Sequence, residues 1–345
     1  MNFRTHARAQ AASCAALGSP FTARLLTLIA DRLRPGPPVA EALLHWPEDR
    51  LQADAVALRL AAALHHLVLT GQARVLARLY ASPENVADGQ LWHALDAALR
   101  INTGPILQSL KRAPQSNDVG RAAVHIATAQ WLSAVYRLPL VVSELGSAAG
   151  LNLLWDKYQL VIEDQTWGPA DTPIVLTPDW TGPLPPEATA LIRARAGVDL
   201  APLDPGEDRA RVLSTIWPDQ TDRMARMQVA LDMAAEQRPE ITRGHPIDWL
   251  EGRLSRPIPQ AIHLVCHSLT WQYLTEADQA RGVALLARAG GKVRADEPLA
   301  HLSMEPDGEA PGAALVLRLW PGNDRIVLGR ADLHGRWIDW QAPDL

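Results

Sequence analysis

The sequence predicts an α/β protein: a Rossmann-like, mostly parallel sheet that ends in an antiparallel hairpin and follows an all-α N-terminal domain. Three observations carry this. From Thr5 to about Arg137, apolar residues recur at helical spacing, as in "DAVALRLAAALHHLVL" and "VGRAAVHIATAQWLSAVY". Beyond Pro139 the texture changes to short β-like runs, "PLVVSEL", "QLVIED", "AIHLVCHS", "AALVLRLW" and "RIVLGRAD", separated by helical or proline-rich segments. The last two runs are divided only by "PGNDR", a turn that favours an antiparallel hairpin.

The elements have local reasons. About five to seven short helices fit the first half. Ser19-Pro20 suits an N-cap followed by the first helical position, Gly71 a stop, and Ser116-Asn117-Asp118 a second N-cap cluster. Strand, helix, strand in succession implies parallel pairing through right-handed crossovers. Residues 165–206 are dense in proline and read as an insertion that leaves the sheet. In "DQTDRMARMQVALDMAAE", Met224, Met227, Leu231 and Ala234 share one stripe, the pattern of a core-facing helix. The expected domains are 1–137, helical, and 138–345, α/β.

Composition narrows the partners. The 345 residues carry a net charge of −5 with 21% charged side chains, so no basic field exists to hold a phosphate backbone, and nucleic acid is not expected. The apolar runs fall short of the roughly 20 residues that span a bilayer, so no membrane partner is expected either. "MNFRTHARAQAAS" has no apolar run behind its basic residues, and a cytoplasmic location is the expectation. Two distant cysteines, Cys14 and Cys266, give neither a disulfide framework nor a thiolate metal site.

The chemistry concentrates in "VVSELGSAAGLNLLWDKY", Val141 to Tyr158. "VVSEL" is a buried strand candidate and "GLNLLWDKY" continues as a helix, which makes Gly146 to Gly150 the turn into the first helix of a parallel sheet, where ligands bind. A dinucleotide site wants G-x-G-x-x-G, but Ala148 stands at the second glycine position. A hydrolase elbow wants G-x-S-x-G, and Ser147 comes one place early. Glu144, two residues before Gly146, is a carboxylate aimed at a cationic group. The bland alternative is a structural turn in which Glu144 caps nearby N–H groups.

Glu144 to Gly150 resembles motif I of the class I S-adenosylmethionine-dependent methyltransferases, an acid, one residue, then glycines around the turn. The ordered set "QSNDVGRA", "SELGSAAGLNLLWDKY", "WPDQTDR", "HSLTWQYL" and "LGRADLHGRW" further resembles a bacterial family catalogued as domain of unknown function 2332, over nearly the whole chain. The first resemblance implies a class I methyltransferase fold with S-adenosylmethionine as cofactor, held around Glu144, Gly146, Ser147, Ala148, Gly150 and Asn152. It also implies an acid at the end of the second strand for the ribose, where Glu163 or Asp164 stands, and a polar adenine contact after the third, where Asp248 stands beside Trp249. A solvated strand end and a helix N-cap are the alternatives for these acids.

"AIHLVCHSLTWQYL" places His267 and Ser268 at the carboxyl end of a strand, where His267 suits a general base and Ser268, Trp271 and Tyr273 a polar substrate. His263 and His267 lie on one face about 13 Å apart, too far to share a metal. Asn117 and Arg121 open the helix before the first strand, and Arg121 suits a substrate carboxylate or a surface ion pair. His334, in or after the terminal hairpin, can approach the same mouth. Twelve tryptophans against two phenylalanines put indole N–H groups near polar pockets, notably at Trp155, Trp217, Trp271 and Trp337.

The expected function is therefore a methyltransferase acting on a small molecule. Its alternative is a non-catalytic module of the same fold that binds a nucleotide or a protein, and a hydrolase using Ser147 or Ser268 comes third.

Overall fold

A computed structural model describes residues 1–115 and 117–344. Ser116, named above in an N-cap cluster, lies outside the described residues. The chain forms two compact units, Met1–Ser116 with Glu207–Gln228, and Asn117–Gly206 with Val229–Leu345.

The first unit is helical. It contains α1 (Phe3–Ala16), α2 (Pro20–Arg32), α3 (Pro38–Leu44), α4 (Val56–Leu69), α5 (Arg74–Tyr80), α6 (Asp88–Ile101) and α7 (Thr103–Leu110). Ser19 caps α2, its hydroxyl accepting the Thr22 N–H at 3.3 Å, with Pro20 at the first helical position. Gly71, at φ +72°, follows the end of α4. Phe3, Leu25, Leu26, Ile29, Leu43, Leu60 and Leu64 meet in one apolar core.

The next helix, α8 (Ala122–Tyr136), belongs to the second unit and not to the helical domain that the sequence delimits at 137. Every residue from Ala122 to Ser133 is buried, so α8 has no solvent face and is a core helix. Two helices follow: the short α9 (Arg209–Leu213), back in the first unit, and the long α10 (Thr221–Gln237), which begins there and ends in the second. Met227, Leu231 and Ala234 of α10 are fully buried and Met224 is half-buried, as a core stripe requires. Then come α11 (Pro246–Arg253) and α12 (Glu276–Gly290).

The second unit is built on a nine-stranded sheet. Its strands, with those of a small side sheet, are β1 (Leu140–Leu145), β2 (Gln159–Ile162), β3 (Gln165–Trp167), β4 (Val175–Leu176), β5 (Asp179–Thr181), β6 (Ile192–Asp199), β7 (Ile241–Arg243), β8 (Ile262–Ser268), β9 (Leu299–Glu305), β10 (Ala313–Trp320), β11 (Asp324–Ala331) and β12 (Trp337–Trp340). The main order is β5-β12-β11-β10-β9-β8-β1-β6-β7. Strands β7, β6, β1, β8 and β9 run parallel, and β9 to β12 form an antiparallel meander. This is a mixed α/β architecture around a mostly parallel sheet. All six residues of β1 are buried, as expected for a strand flanked and covered on both faces.

Three expectations are corrected. "QLVIED" is β2 of the side sheet β3-β2-β4, and the neighbour of β1 is β6, inside the stretch that reads as an insertion. The first half of β6 is solvated, so it carries Arg193 and Arg195 and shows no apolar run. "GLNLLWDKY" forms 3₁₀ turns over Asn152–Lys157 instead of an α-helix, with Leu154 at a non-helical φ of −96° and ψ of 17°. Asn152, Leu153, Leu154 and Trp155 are buried in succession, which a one-sided surface helix does not permit. The terminal hairpin exists as β10 and β11, but it is part of a longer meander. Among the described residues, no helix is long and apolar enough to cross a membrane.

Candidate functional site

The strand order reverses between β1 and β8, so the carboxyl ends of these strands flank the crevice where open parallel sheets bind ligands. Glu144, on β1, pairs in register with Gly197 of β6 and Cys266 of β8. Its side chain is 2% exposed, and its Oε2 has no hydrogen-bond partner. Burial pushes its carboxyl up to about 7, with Asp199 adding to the rise while the Ser147 hydroxyl and Arg121 oppose it. A carboxyl with that orphaned oxygen invites a cation or a hydrogen-bond donor.

The turn after β1 satisfies its own backbone. The N–H groups of Gly146 and Ser147 both donate to Val198 O, at 2.8 and 3.1 Å, and Gly150 N–H donates to Ser147 O at 2.7 Å. Ala148 N–H donates to Asp199 Oδ2 at 2.9 Å, and Leu151 N–H to Asn117 Oδ1 at 2.9 Å. The other oxygen of Asp199 accepts from Ala201 N–H at 2.8 Å, so both carboxylate oxygens are engaged. These N–H groups hold the protein together, which argues against a pyrophosphate seated on the turn. Gly146 and Gly150 take φ of +74° and +75°, and the space beside each is filled: Thr270's side chain abuts Gly146, and Pro239 and Ile241 abut Gly150. Asn152, 1% exposed, leaves both its amide oxygen and nitrogen unpartnered. Buried side-chain polar atoms in this state mark a place for water or ligand.

Asn117 and Arg121, chosen from sequence, do reach this region. Arg121 is 4% exposed and donates from Nε to Leu333 O at 3.0 Å and from one terminal nitrogen to Ser268 O and Oγ, both at 3.3 Å. It is a buried tie between three segments, neither a surface ion pair nor an open fork for substrate. The loop carrying His334 packs directly on Gly120, so the meander's far end does return to this mouth.

On β8 and β9 a second polar cluster forms. His267 Nδ1 lies 2.7 Å from Glu305 Oε1, and its Nε2 lies 2.9 Å from His301 Nε2. The same Glu305 oxygen accepts the Thr270 and Trp271 N–H groups at 2.8 and 3.0 Å. Burial acts to raise the Glu305 carboxyl, but His267 and these N–H groups outweigh it and hold the pKa below the ordinary value. An ionised Glu305 only accepts, so His267 Nδ1 carries its proton. In the neutral form His267 Nε2 then accepts from His301 Nε2–H, which leaves His301 Nδ1 with the free lone pair. Burial, and secondarily His267, keeps the His301 pKa well below ordinary. Trp271 stacks on the His267 ring, centroids 4.8 Å apart and planes 18° from parallel. Glu305 and His301 thus engage both ring nitrogens of His267.

Glu305→Gln should lower stability by about 1 kcal/mol at neutral pH through loss of the charge-assisted bond to His267. A depressed carboxyl pKa contributes stability above the ordinary carboxylate range and loses it as pH falls, so the deficit should fade in acid. Urea unfolding of both proteins across pH checks this, and a deficit constant with pH would sink it.

The remaining sequence candidates lie elsewhere. Glu163 is exposed in the turn between β2 and β3. Asp248 is on α11, paired with Arg281 at 2.5 Å, its side chain 64% exposed. Tyr273 is 68% exposed. Trp155 is buried and Trp217 joins the helical core. Sequence reasoning missed Asp199, His301 and Glu305. Asp199 ends the true second strand, and "LAHLSME" does alternate, but acids, glycine and prolines on both sides disguise it. Cys266 is buried, its thiol pushed well above ordinary by burial and by Glu144. Among the described residues, no His, Cys, Asp and Glu side chains form a group able to hold a metal ion.

No curated protein and no solved structure matches this chain. A family model described as "Uncharacterized protein conserved in bacteria (DUF2332)" matches residues 4–340, and the chain belongs to that family.

Proposed function

We propose that the sheet unit binds S-adenosylmethionine and transfers its methyl group to a small molecule. The observation that carries this reading is Glu144, a fully buried carboxyl with an orphaned oxygen at the end of the central parallel strand, beside the strand-order reversal. The donors and acceptors fit an amino-acid moiety: Glu144 Oε2 suits an ammonium, and the unpartnered Asn152 amide suits a carboxylate or hydroxyl. Bound, S-adenosylmethionine supplies an electrophilic methyl on a sulfonium. The chain's part is alignment of the reacting groups. Calorimetry and thermal melting with S-adenosylmethionine and S-adenosylhomocysteine test the reading. Ligand at about 100 times its Kd adds about 2.7 kcal/mol of stability. Asn152→Ala should weaken binding by about tenfold, the cost of one or two hydrogen bonds. Absence of any shift or heat at millimolar ligand would overturn the reading.

A second reading, a non-catalytic module of the same architecture, is favoured by one observation: the turn's N–H groups and the space beside Gly146 are already taken by Val198, Asp199, Asn117 and Thr270. Here S-adenosylhomocysteine gives no response, and affinity capture returns a protein partner.

A further inference from the structure

The helical unit contains a cavity that the methyltransferase reading does not use. It has a volume of about 300 Å³, the low end of the range for small-ligand sites. Arg59 and His66 of α4, Arg112 from the segment after α7, and Arg211 of α9 line it. Hydroxyls, amides, two alanines and two prolines complete the described lining, which contains no Asp or Glu.

Two of the guanidinium groups are braced. Arg59, 11% exposed, donates to Leu110 O at 2.9 Å and lies 3.4 Å from Asp54. Arg211 donates to Gln115 Oε1 at 2.7 Å, and its contact to Asp208 is long, 3.8 Å. Arg112 is exposed, and its guanidinium makes no hydrogen bond or ion pair with a described residue. Its charge is left for something else. The His66 pKa is lowered, by burial first and then by Arg211, so the positive field of the lining reaches across the cavity to α4. A site with this charge, planar forks from several directions and no carboxylate in its described lining selects an anion with several oxygens.

We propose that this cavity is a binding site for a small phosphorylated metabolite, with the phosphate held by Arg112 and Arg211 and Arg59 fixing the inner wall. The size suits a phosphate on a group as large as a sugar.

Calorimetry on the full chain, in a buffer free of phosphate and sulfate, tests it with inorganic phosphate, ribose 5-phosphate and ribose. Saturable binding of ribose 5-phosphate without binding of ribose is expected. Inorganic phosphate binding equally well would assign the affinity to the phosphate alone, and weaker binding would show that the sugar contributes. Arg112→Ala, an exposed change outside the core, should weaken binding by about tenfold or more, and Arg211→Gln likewise, while Lys111→Ala leaves it unchanged. Absence of saturable binding of either phosphate at millimolar concentration overturns the proposal. So does equal affinity in Arg112→Ala and Arg211→Gln, or equal affinity for ribose and its phosphate.

Discussion

Gly146→Ala should lower the stability of the sheet unit by about 2–4 kcal/mol, seen as a lower urea midpoint. Two costs add. The residue sits at φ +74°, where an L side chain costs about 1 kcal/mol. A Cβ would also fall inside contact distance of Thr270 Oγ1 and Cγ2, and overpacking of this kind costs about 1–3 kcal/mol. Thr270 cannot simply retreat, because its N–H is held by Glu305 at 2.8 Å and its hydroxyl donates to Ser268 O at 3.2 Å. The double variant Gly146→Ala with Thr270→Gly should regain the overpacking part and keep the backbone part. Gly104→Ala is the control: this glycine lies in α7 with open space around it and no positive φ, so alanine there should be neutral or slightly stabilising. Equal losses in Gly146→Ala and Gly104→Ala would contradict the account. The same contact bears on function, since the glycine of the motif is spent on a close approach between two loops of the protein itself. Any ligand at this turn is therefore held by side chains.

What the sequence reveals here follows from how each element is solvated. The helical unit was legible because its helices bury one stripe and expose the other, and Ser19-Pro20 and Gly71 punctuate them as their chemistry requires. β1 and β8 were legible because strands buried on both faces are continuous apolar runs. β6 was not, since its first half is exposed and interleaves Arg193 and Arg195, while the side-sheet strand β2 imitates a core strand with Leu160 and Ile162. That one exchange displaced the second-strand acid from Asp199 to Glu163. His267 was found because it ends an obvious strand. Its partners His301 and Glu305 lie on β9, which has His301 and Ser303 half-exposed and whose apolar positions alternate over too few residues to stand out. The unit boundary lies before α8 and not at 137 for a related reason: α8 reads as one more helix, yet it groups with the sheet unit and is buried from Ala122 to Ser133.

Glu144→Gln should make the protein more stable at alkaline pH, by up to about 3 kcal/mol, and change little in acid. The carboxyl rises from 4.5 to about 7 on folding, mainly because burial penalises the charge. A group whose folded pKa is raised favours the folded state below its unfolded pKa and loses that contribution as pH climbs through the folded value. The window is therefore pH 4.5 to about 7, and a shift of roughly 2.5 units corresponds to about 3 kcal/mol. Glutamine keeps the size and the hydrogen bonding without the charge, so the difference between the two stability curves should be constant below pH 4.5, widen between pH 4.5 and about 7, and be constant again above that. Parallel curves would show that Glu144 does not titrate in this range. The same group reports on the proposed ligand. An ammonium beside Glu144 favours the carboxylate, so below pH 7 binding of S-adenosylhomocysteine should release up to about one proton, measured as a dependence of the binding heat on the buffer's ionisation enthalpy. In Glu144→Gln that dependence should vanish. Binding with no proton release in the parent protein would place the ligand away from Glu144, and release that persists in the variant would assign the proton to another group.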